Sequence, residues 1–136
     1  MSINIQRNQK KRVVIVGGGL GGLRLAEDLY GSGMQVVLID KNNFHQFPPL
    51  IYQIASAGID PSSISFPFRQ IFRKRKDFYF RMAEARMVDT DKKILQTSIG
   101  KIDYDYLVLA AGATTNFFGN KNIEEWAIPM KTVPEA

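Results

Sequence analysis

The chain has 136 residues, a formal net charge of +5 at neutral pH, one histidine and no cysteine. The length predicts a single domain that is large enough to bury a core. The missing cysteines exclude disulfides, thiolate metal sites and a redox-active thiol pair within these residues, and one histidine leaves no metal cluster. The apolar stretches are too short for a membrane span or a signal peptide, so we expect a soluble chain in a reducing compartment.

An apolar strand, a glycine-rich turn and a helix are predicted near the start of the chain. Residues 13–16 are uninterruptedly apolar, which is typical of a parallel strand covered on both faces. Gly17, Gly19 and Gly22 follow at a characteristic spacing. In this pattern the first glycine permits a tight turn, the second lets backbone approach a pyrophosphate, and the third allows close packing of helix and strand. A helix over 20–30 would then direct its free N–H groups at the phosphates.

A second apolar strand, over residues 35–39, ends in Asp40. A carboxylate there is placed to accept hydrogen bonds from a ribose 2′-hydroxyl and would repel a 2′-phosphate. A glycine-rich turn in a flexible loop is the alternative interpretation. The order of strand, turn, helix, strand and acid favours a bound adenine dinucleotide and leaves open whether it is NAD or FAD.

The connection over residues 41–60 is predicted to be irregular, with a short helical turn over 52–57 that Gly58 ends. Its aromatic and apolar residues between Phe44 and Tyr52 are unusual for an exposed loop. We expect them to be buried by the rest of the fold, by a partner domain, or by a flat ligand such as a flavin ring. His45 is expected to be a structural histidine with a satisfied hydrogen bond, and a proton donor is the alternative interpretation.

Ser65 is the predicted N-cap of a crossover helix that has Pro67 in its first turn and runs to about Lys76. The basic run over residues 73–76 carries much of the excess positive charge. We interpret it as the end of a helix, where cations complement the helix dipole, with a lipid or nucleic-acid patch as the alternative. No basic motif interleaved with aromatic residues supports nucleic-acid binding.

The second half of the sequence predicts more strands than helices. A third strand is expected over 78–82, and three short segments over 86–89, 94–97 and 101–104 predict a small antiparallel meander. An apolar strand over 106–110 leads into Ala111 and Gly112, and residues 114–136 lack periodicity. The expected fold class is α/β, a Rossmann-like dinucleotide-binding domain with a parallel sheet, crossover helices and a small β-meander.

Four stretches together resemble the two-dinucleotide-binding-domain flavoproteins, and among them type II NADH dehydrogenase, the single-subunit NADH:quinone oxidoreductase. They are Gly17–Gly22, Asp40, the segment FPPLIYQ from Phe47 to Gln53, and DYLVLAAGATTN from Asp105 to Asn116. The resemblance implies hydride transfer from NADH to FAD, followed by reduction of a quinone. It also implies a peripheral protein at the cytoplasmic face of a membrane, attached through C-terminal helices that these residues do not include.

The same resemblance implies a division of the chain and a limit on its activity. Residues 1–11 would be a tail, 12–116 the N-terminal part of an incomplete FAD-binding domain, and 117–136 a linker toward an absent NADH-binding domain. These residues would contribute no catalytic acid, base or nucleophile. Alone they would be inactive, would hold FAD weakly or not at all, and would bury their apolar surface by self-association.

The resemblance implies a set of residues around the FAD. The pyrophosphate would lie against Gly17, Gly19, Leu20, Gly21 and Gly22; Asp40 would hold the adenosine ribose, with Lys41 at the adenine side, and the backbone of Ala85 would contact the adenine. Ala111 and Gly112 would lie beneath the FAD, Pro49 and Leu50 would approach the isoalloxazine, and Gln53 would face the quinone. Ordinary core packing is the alternative for the apolar members. Ala111 stands where the family commonly has threonine, which puts a hydroxyl contact in doubt.

Three alternatives remain at this point. Another flavoprotein of the same architecture, such as sulfide:quinone oxidoreductase, would need cysteines to handle sulfur, and none occurs in these residues. In an NAD-dependent dehydrogenase module the glycine turn would bind NAD. A non-catalytic binding module is the third.

Overall fold

A computed structural model describes residues 2–136 of the chain. Its helices and strands are, in order, β1 (Arg12–Val16), α1 (Leu20–Asp28), β2 (Gln35–Asp40), β3 (Phe44–Gln46), α2 (Ile51–Ala55), β4 (Ser65–Pro67), α3 (Phe68–Ile71), β5 (Phe78–Met82), β6 (Ala85–Asp89), β7 (Ile94–Thr97), β8 (Gly100–Asp103), β9 (Tyr106–Leu109) and α4 (Lys121–Trp126). Short 3-10 turns occupy Pro48–Leu50, Pro61–Ile64 and Val133–Glu135. The predicted α/β class with a parallel sheet and an antiparallel meander is confirmed.

The central sheet has four parallel strands in the order β5-β2-β1-β9. All five residues of β1 are buried, which explains the uninterrupted apolar run in the sequence. The chain proceeds from β1 to β2 on one side and returns to pair β9 with β1 on the other. The connections therefore diverge between β1 and β9, which is the point where open parallel sheets bind ligands at the carboxyl ends of their strands.

Two cores cover the two faces of this sheet. Val13 and Ile15 face the helices, where Phe68 and Phe72 join them, whereas Val14 and Val16 face the meander. The meander-side core also contains buried side chains from the N-terminal segment, Ile3 and Ile5. The predicted domain boundary at residue 12 stays a prediction, but Ile3 and Ile5 pack as core residues.

A buried arginine joins the amino-terminal ends of the strands, at the opposite edge from the glycine turn. The Nε of Arg12 donates to Oε1 of Gln35 at 2.6 Å, and its Nη1 donates to Oδ1 of Asp103 at 2.7 Å. The backbone N–H of Arg12 donates to Oδ2 of Asp105 at 2.7 Å, which lowers the pKa of that carboxyl. Burial lowers the pKa of the Arg12 guanidinium. These bonds fasten β1, β2 and the entry to β9 to one another.

The predicted helix from Ser65 to Lys76 is wrong at its start and its end. Ser65–Pro67 is a strand that pairs antiparallel with β3, and the helix comprises only Phe68–Ile71. Residues before a proline favour extended backbone, so Pro67 holds Phe66 in the strand instead of in a first helical turn. In the connection over 41–60, α2 lies where the short helical turn was predicted, whereas β3 was not predicted.

Arg75 of the basic run contacts the C terminus of α1, whereas the sequence analysis assigned the run to the end of the crossover helix. Two hydrogen bonds of 3.4 Å join Nη1 of Arg75 to the carbonyl oxygens of Ala26 and Glu27, in the last turn of α1. The guanidinium lies 5.0 Å from the centre of the Tyr30 ring and 4.9 Å from that of Phe72. A cation of the basic run therefore does complement a helix dipole, but at the C terminus of α1, which is distant from Arg75 in sequence and close to it in the fold.

Candidate functional site

Two glycines at the turn after β1 have no room for a Cβ because backbone atoms occupy the space. Gly17 has φ +101°, and a Cβ there would lie 2.3 Å from the carbonyl oxygen of Ala110. A Cβ at Gly22 would lie 1.8 Å from the carbonyl oxygen of Gly17. The turn and the first turn of α1 are thus packed backbone to backbone against each other and against the end of β9.

Gly19 is different, because nothing within the protein excludes a side chain there. Its Cβ position has no heavy atom within 4 Å, and its φ of −66° suits any residue. Gly19 is the N-cap of α1 and makes no side-chain capping bond. The N-terminal backbone of α1 is therefore open to an approaching group, as the sequence predicted for a residue next to a pyrophosphate.

Gly18, which the sequence analysis did not select, is held in the turn through both its N–H and its carbonyl group. Its N–H donates to Oδ2 of Asp40 at 2.6 Å, and its carbonyl oxygen lies 2.9 Å from Nδ1 of His45. A Cβ on Gly18 would lie 2.1 Å from the ring of Phe68. No local sequence signal identifies these contacts, since Asp40, His45 and Phe68 are 22 to 50 positions away along the chain.

A cleft of about 620 Å³ opens at the carboxyl ends of β1, β2, β5 and β9. This volume lies within the range of about 300–1,000 Å³ that is typical of ligand pockets. Seven of the predicted site residues line it: Gly17, Gly19, Asp40, Lys41, Ala85, Ala111 and Gly112. Six do not belong to its wall: Leu20, Gly21, Gly22, Pro49, Leu50 and Gln53. The cleft thus gathers the predicted ribose and adenine contacts, Ala111 and Gly112, and two of the five predicted pyrophosphate contacts. The other three pyrophosphate contacts and the predicted flavin-ring and quinone contacts lie outside its wall.

Asp40 already has two protein partners at the floor of this cleft. Besides the Gly18 N–H at Oδ2, its Oδ1 accepts the N–H of Asn42 at 2.8 Å. An ionised carboxylate offers about four lone-pair positions, so two remain for a ligand. Asp40 can therefore shape the turn and still accept hydroxyl hydrogen bonds.

The far wall of the cleft comes from the end of the chain, which sequence reasoning had left without structure. Lys131, Thr132 and Glu135 line the cleft. Oε2 of Glu135 accepts the N–H groups of Lys131 at 2.9 Å and Thr132 at 2.8 Å, and the bond from the Lys131 N–H lowers the pKa of this carboxyl. Gln46 holds the segment against β3, since its Oε1 accepts the Val133 N–H at 3.0 Å.

Within residues 2–136, the structure contains no group of three or more potential metal-ligating side chains. The same residues include no helix of sufficient length and hydropathy to cross a bilayer. The cleft instead offers open helix N-terminal backbone, a carboxylate with spare acceptor positions, and the small residues Ala111 and Gly112. These features fit an adenine dinucleotide, because Gly19 and Gly112 both line the cleft and leave the space at their Cβ positions free for a ligand.

Comparison with known proteins agrees with this geometry. Residues 11–135 match the family described as pyridine nucleotide-disulphide oxidoreductase, and the chain belongs to that family. Type II NADH:quinone oxidoreductase NdhA from Mycobacterium tuberculosis is 35% identical over 133 residues, which are 93% of this chain and 28% of that protein. The predicted resemblance to type II NADH dehydrogenases is therefore confirmed, and this chain spans under a third of that relative's length.

Two solved structures share the fold. NDH2 from Plasmodium falciparum in complex with NADH has a TM-score of 0.87 and 25% identity, over 93% of this chain and 27% of that one. Sulfide:quinone oxidoreductase from Aquifex aeolicus has a TM-score of 0.84 and 30% identity, over 92% of this chain and 29% of that one. The architecture of this chain is thus common to both solved structures.

Proposed function

We propose that this chain holds the adenine and pyrophosphate end of FAD within a type II NADH:quinone oxidoreductase. The observation that carries the proposal is the contrast among the glycines of the turn. Gly17 and Gly22 are closed by backbone, whereas Gly19 faces open space in a cleft at the point where the strand connections diverge. The similarity to NdhA over 93% of the chain supports the choice of oxidoreductase.

Each cleft residue has a defined task under this proposal. The N–H groups at the start of α1 would donate to the pyrophosphate beside Gly19, where a side chain would displace it. The free lone pairs of Asp40 would accept the ribose hydroxyls, and the backbone of Ala85 would contact the adenine. Ala111 and Gly112 would leave room along the cofactor. Carried over from the resemblance, Pro49 and Leu50 would approach the flavin ring, and Gln53 the quinone.

The bound FAD would supply the redox chemistry, accepting a hydride from NADH and passing electrons to a quinone. Under this proposal the task of the chain itself is to bind and orient the cofactor. NADH and a quinone as substrates, and a peripheral position at a membrane surface, are proposals for the complete protein.

A sulfide:quinone oxidoreductase is the second candidate, favoured by the 30% identity and TM-score of 0.84 to the Aquifex aeolicus enzyme. The two proposals differ in the electron donor, which is NADH in the first and sulfide in the second. The complete protein should reduce a soluble quinone analogue with NADH and fail to do so with sulfide. Quinone reduction by sulfide with no reaction of NADH would reverse the choice.

The cofactor proposal is tested at Gly19, where substitution should affect the ligand and spare the fold. FAD is titrated into the chain, and the amide signals of residues 17–19 are followed by NMR, which detects weak as well as tight binding. Gly19→Ala and Gly19→Val should weaken binding in that order, while the melting temperature falls only slightly, because alanine and valine are poorer N-caps than glycine. Gln70→Ala, an exposed α3 residue outside the cleft wall, is the control and should bind normally. Unchanged FAD affinity in Gly19→Val would contradict the proposal.

A further inference from the structure

His45 is the single histidine of the sequence and is 6% exposed in β3. Its Nδ1 lies 2.9 Å from the carbonyl oxygen of Gly18. A carbonyl oxygen can only accept, so Nδ1 must carry the proton. The alternative neutral tautomer would place a ring lone pair against the carbonyl lone pairs at this distance. The contact therefore sets the tautomer of the ring.

This bond fixes the orientation of a complete peptide group. In a trans peptide the C=O and the following N–H point in opposite directions, and the described chain has no cis peptide bond. When His45 holds the Gly18 carbonyl on the β3 side, the N–H of Gly19 must point the other way. Within residues 2–136 that N–H has no hydrogen-bond partner, and Gly19 lies in the cleft wall.

The peptide group between Gly17 and Gly18 is fixed in a similar way, by Asp40. Asp40 accepts the Gly18 N–H, so the Gly17 carbonyl points in the opposite direction, and there it meets Gly22. The two side chains come from different strands and hold the two polar groups of one residue. The turn is thereby restrained by contacts that a rotation of either peptide would break.

We infer that His45 is a positioning residue for this cleft, whose Nδ1–H bond to the Gly18 carbonyl keeps the Gly19 N–H directed at an anionic ligand. That the ligand is the pyrophosphate of FAD rests on the proposed function. The inference assigns His45 no proton transfer and no contact with the cofactor. Its effect is to hold a backbone donor in the orientation that binding needs, so that little conformational freedom is lost when the anion arrives.

The first experiment measures the tautomer in the unmodified protein. Nitrogen-15 NMR of the imidazole is unambiguous, because the sequence has only one histidine. At a pH where the ring is neutral, the inference expects a proton on Nδ1 and none on Nε2. A ring with its proton on Nε2, or one that averages between tautomers as in a free peptide, would overturn it.

The second experiment separates positioning from packing. His45→Asn keeps an N–H donor two bonds from Cβ, as in the imidazole, whereas His45→Phe keeps a ring without a donor. Loss of one hydrogen bond at the binding loop should weaken FAD binding about tenfold in His45→Phe, while His45→Asn stays within about twofold of the wild type. Equal binding by the folded wild type and His45→Phe, with only a lower melting temperature in the variant, would assign His45 to packing and overturn the inference.

The amide signal of Gly19 makes the result independent of the cofactor proposal. In the protein without ligand, that signal should shift strongly in His45→Phe and resemble the wild type in His45→Asn. If the complete protein contains no FAD and takes none up, the proposed function fails, while the tautomer and the Gly19 signal still decide the role of His45. An unperturbed Gly19 signal in His45→Phe would overturn the positioning role whatever the ligand.

Discussion

Substitution of Gly22 by alanine provides the sharpest test of how the turn is built. The added Cβ would lie 1.8 Å from the carbonyl oxygen of Gly17 and 3.3 Å from Cγ2 of Ile15. A carbon and an oxygen rest at about 3.3–3.6 Å, so α1 must move away from β1 by roughly 1.5 Å. Both obstructing groups belong to the rigid sheet side of the contact, and the Gly17 carbonyl cannot rotate without breaking the Gly18 bond to Asp40.

Gly21→Ala is the matched control, because it lies one position earlier in the same helix with no heavy atom within 4 Å of its Cβ position. Replacing glycine by alanine in a helix stabilises it by about 1 kcal/mol, and this gain applies at both positions. The difference between the two variants is therefore the packing cost alone, about 3 kcal/mol at the upper end for overpacking. For a domain of this size we expect Gly22→Ala to melt roughly 12 °C below Gly21→Ala.

The assay is thermal unfolding followed by circular dichroism, with urea unfolding of both variants at one temperature to give the difference in free energy. An unchanged urea m-value would show that the two unfolded states are comparable. If the two variants differed by less than about 1 kcal/mol, the close contact of helix and strand would not be a rigid one, and the reasoning would be refuted.

Three further predictions concern charge, cofactor and assembly. The pKa of Asp105 is lowered first by the hydrogen bond from the Arg12 N–H and then by neighbouring cations. The ionised carboxylate therefore stabilises the folded state above its unfolded pKa of about 3.9, and this contribution is lost as the pH falls through the folded pKa. Urea unfolding at about pH 6 and about pH 3 should therefore reveal a smaller loss of stability in Asp105→Asn than in the wild type, and equal losses would contradict this. Asp40→Ala should weaken FAD binding by about 1–3 kcal/mol in a titration of the apoprotein, and unchanged affinity would assign Asp40 to the turn alone. The chain should self-associate through exposed apolar side chains such as Trp126 and Ile128, which are 80% and 81% exposed. Sedimentation velocity should detect a concentration-dependent dimer or larger species that the double variant Trp126→Ser and Ile128→Ser diminishes, and a wild-type monomer at all concentrations would refute this.

The parts of the fold that sequence reasoning predicted well are those with strong local signals. The strand over 78–82 and the hairpins of the meander lie where the apolar runs and turn residues indicate, and α1 ends two residues before its predicted end. The parallel sheet follows from the uninterrupted apolar strands, because a strand buried on both faces has no polar side.

The elements that were missed depend on distant partners or on signals that were overlooked. β3 and β4 are three residues each and pair only with one another, so neither has enough length for a visible alternation. By contrast, α4 had a local signal in Asn120, whose side chain accepts the N–H groups of Asn122 and Ile123 as an N-cap. In the site, Gly19 and Asp40 were predictable from their spacing, whereas Gly18 and Gln46 act through contacts that only the folded chain creates.

The burial of Ile3 and Ile5 bears on how this domain should be trimmed for expression. The backbone N–H of Ile3 donates to the carbonyl oxygen of Lys101 at 2.9 Å, and the carbonyl oxygen of Ile5 accepts from the Arg12 guanidinium at 3.3 Å. A truncation that starts at β1, as the glycine motif alone would suggest, removes two core side chains and leaves a trough between sheet and meander. Such a shortened chain should be recovered in inclusion bodies under conditions in which the 136-residue chain is recovered folded.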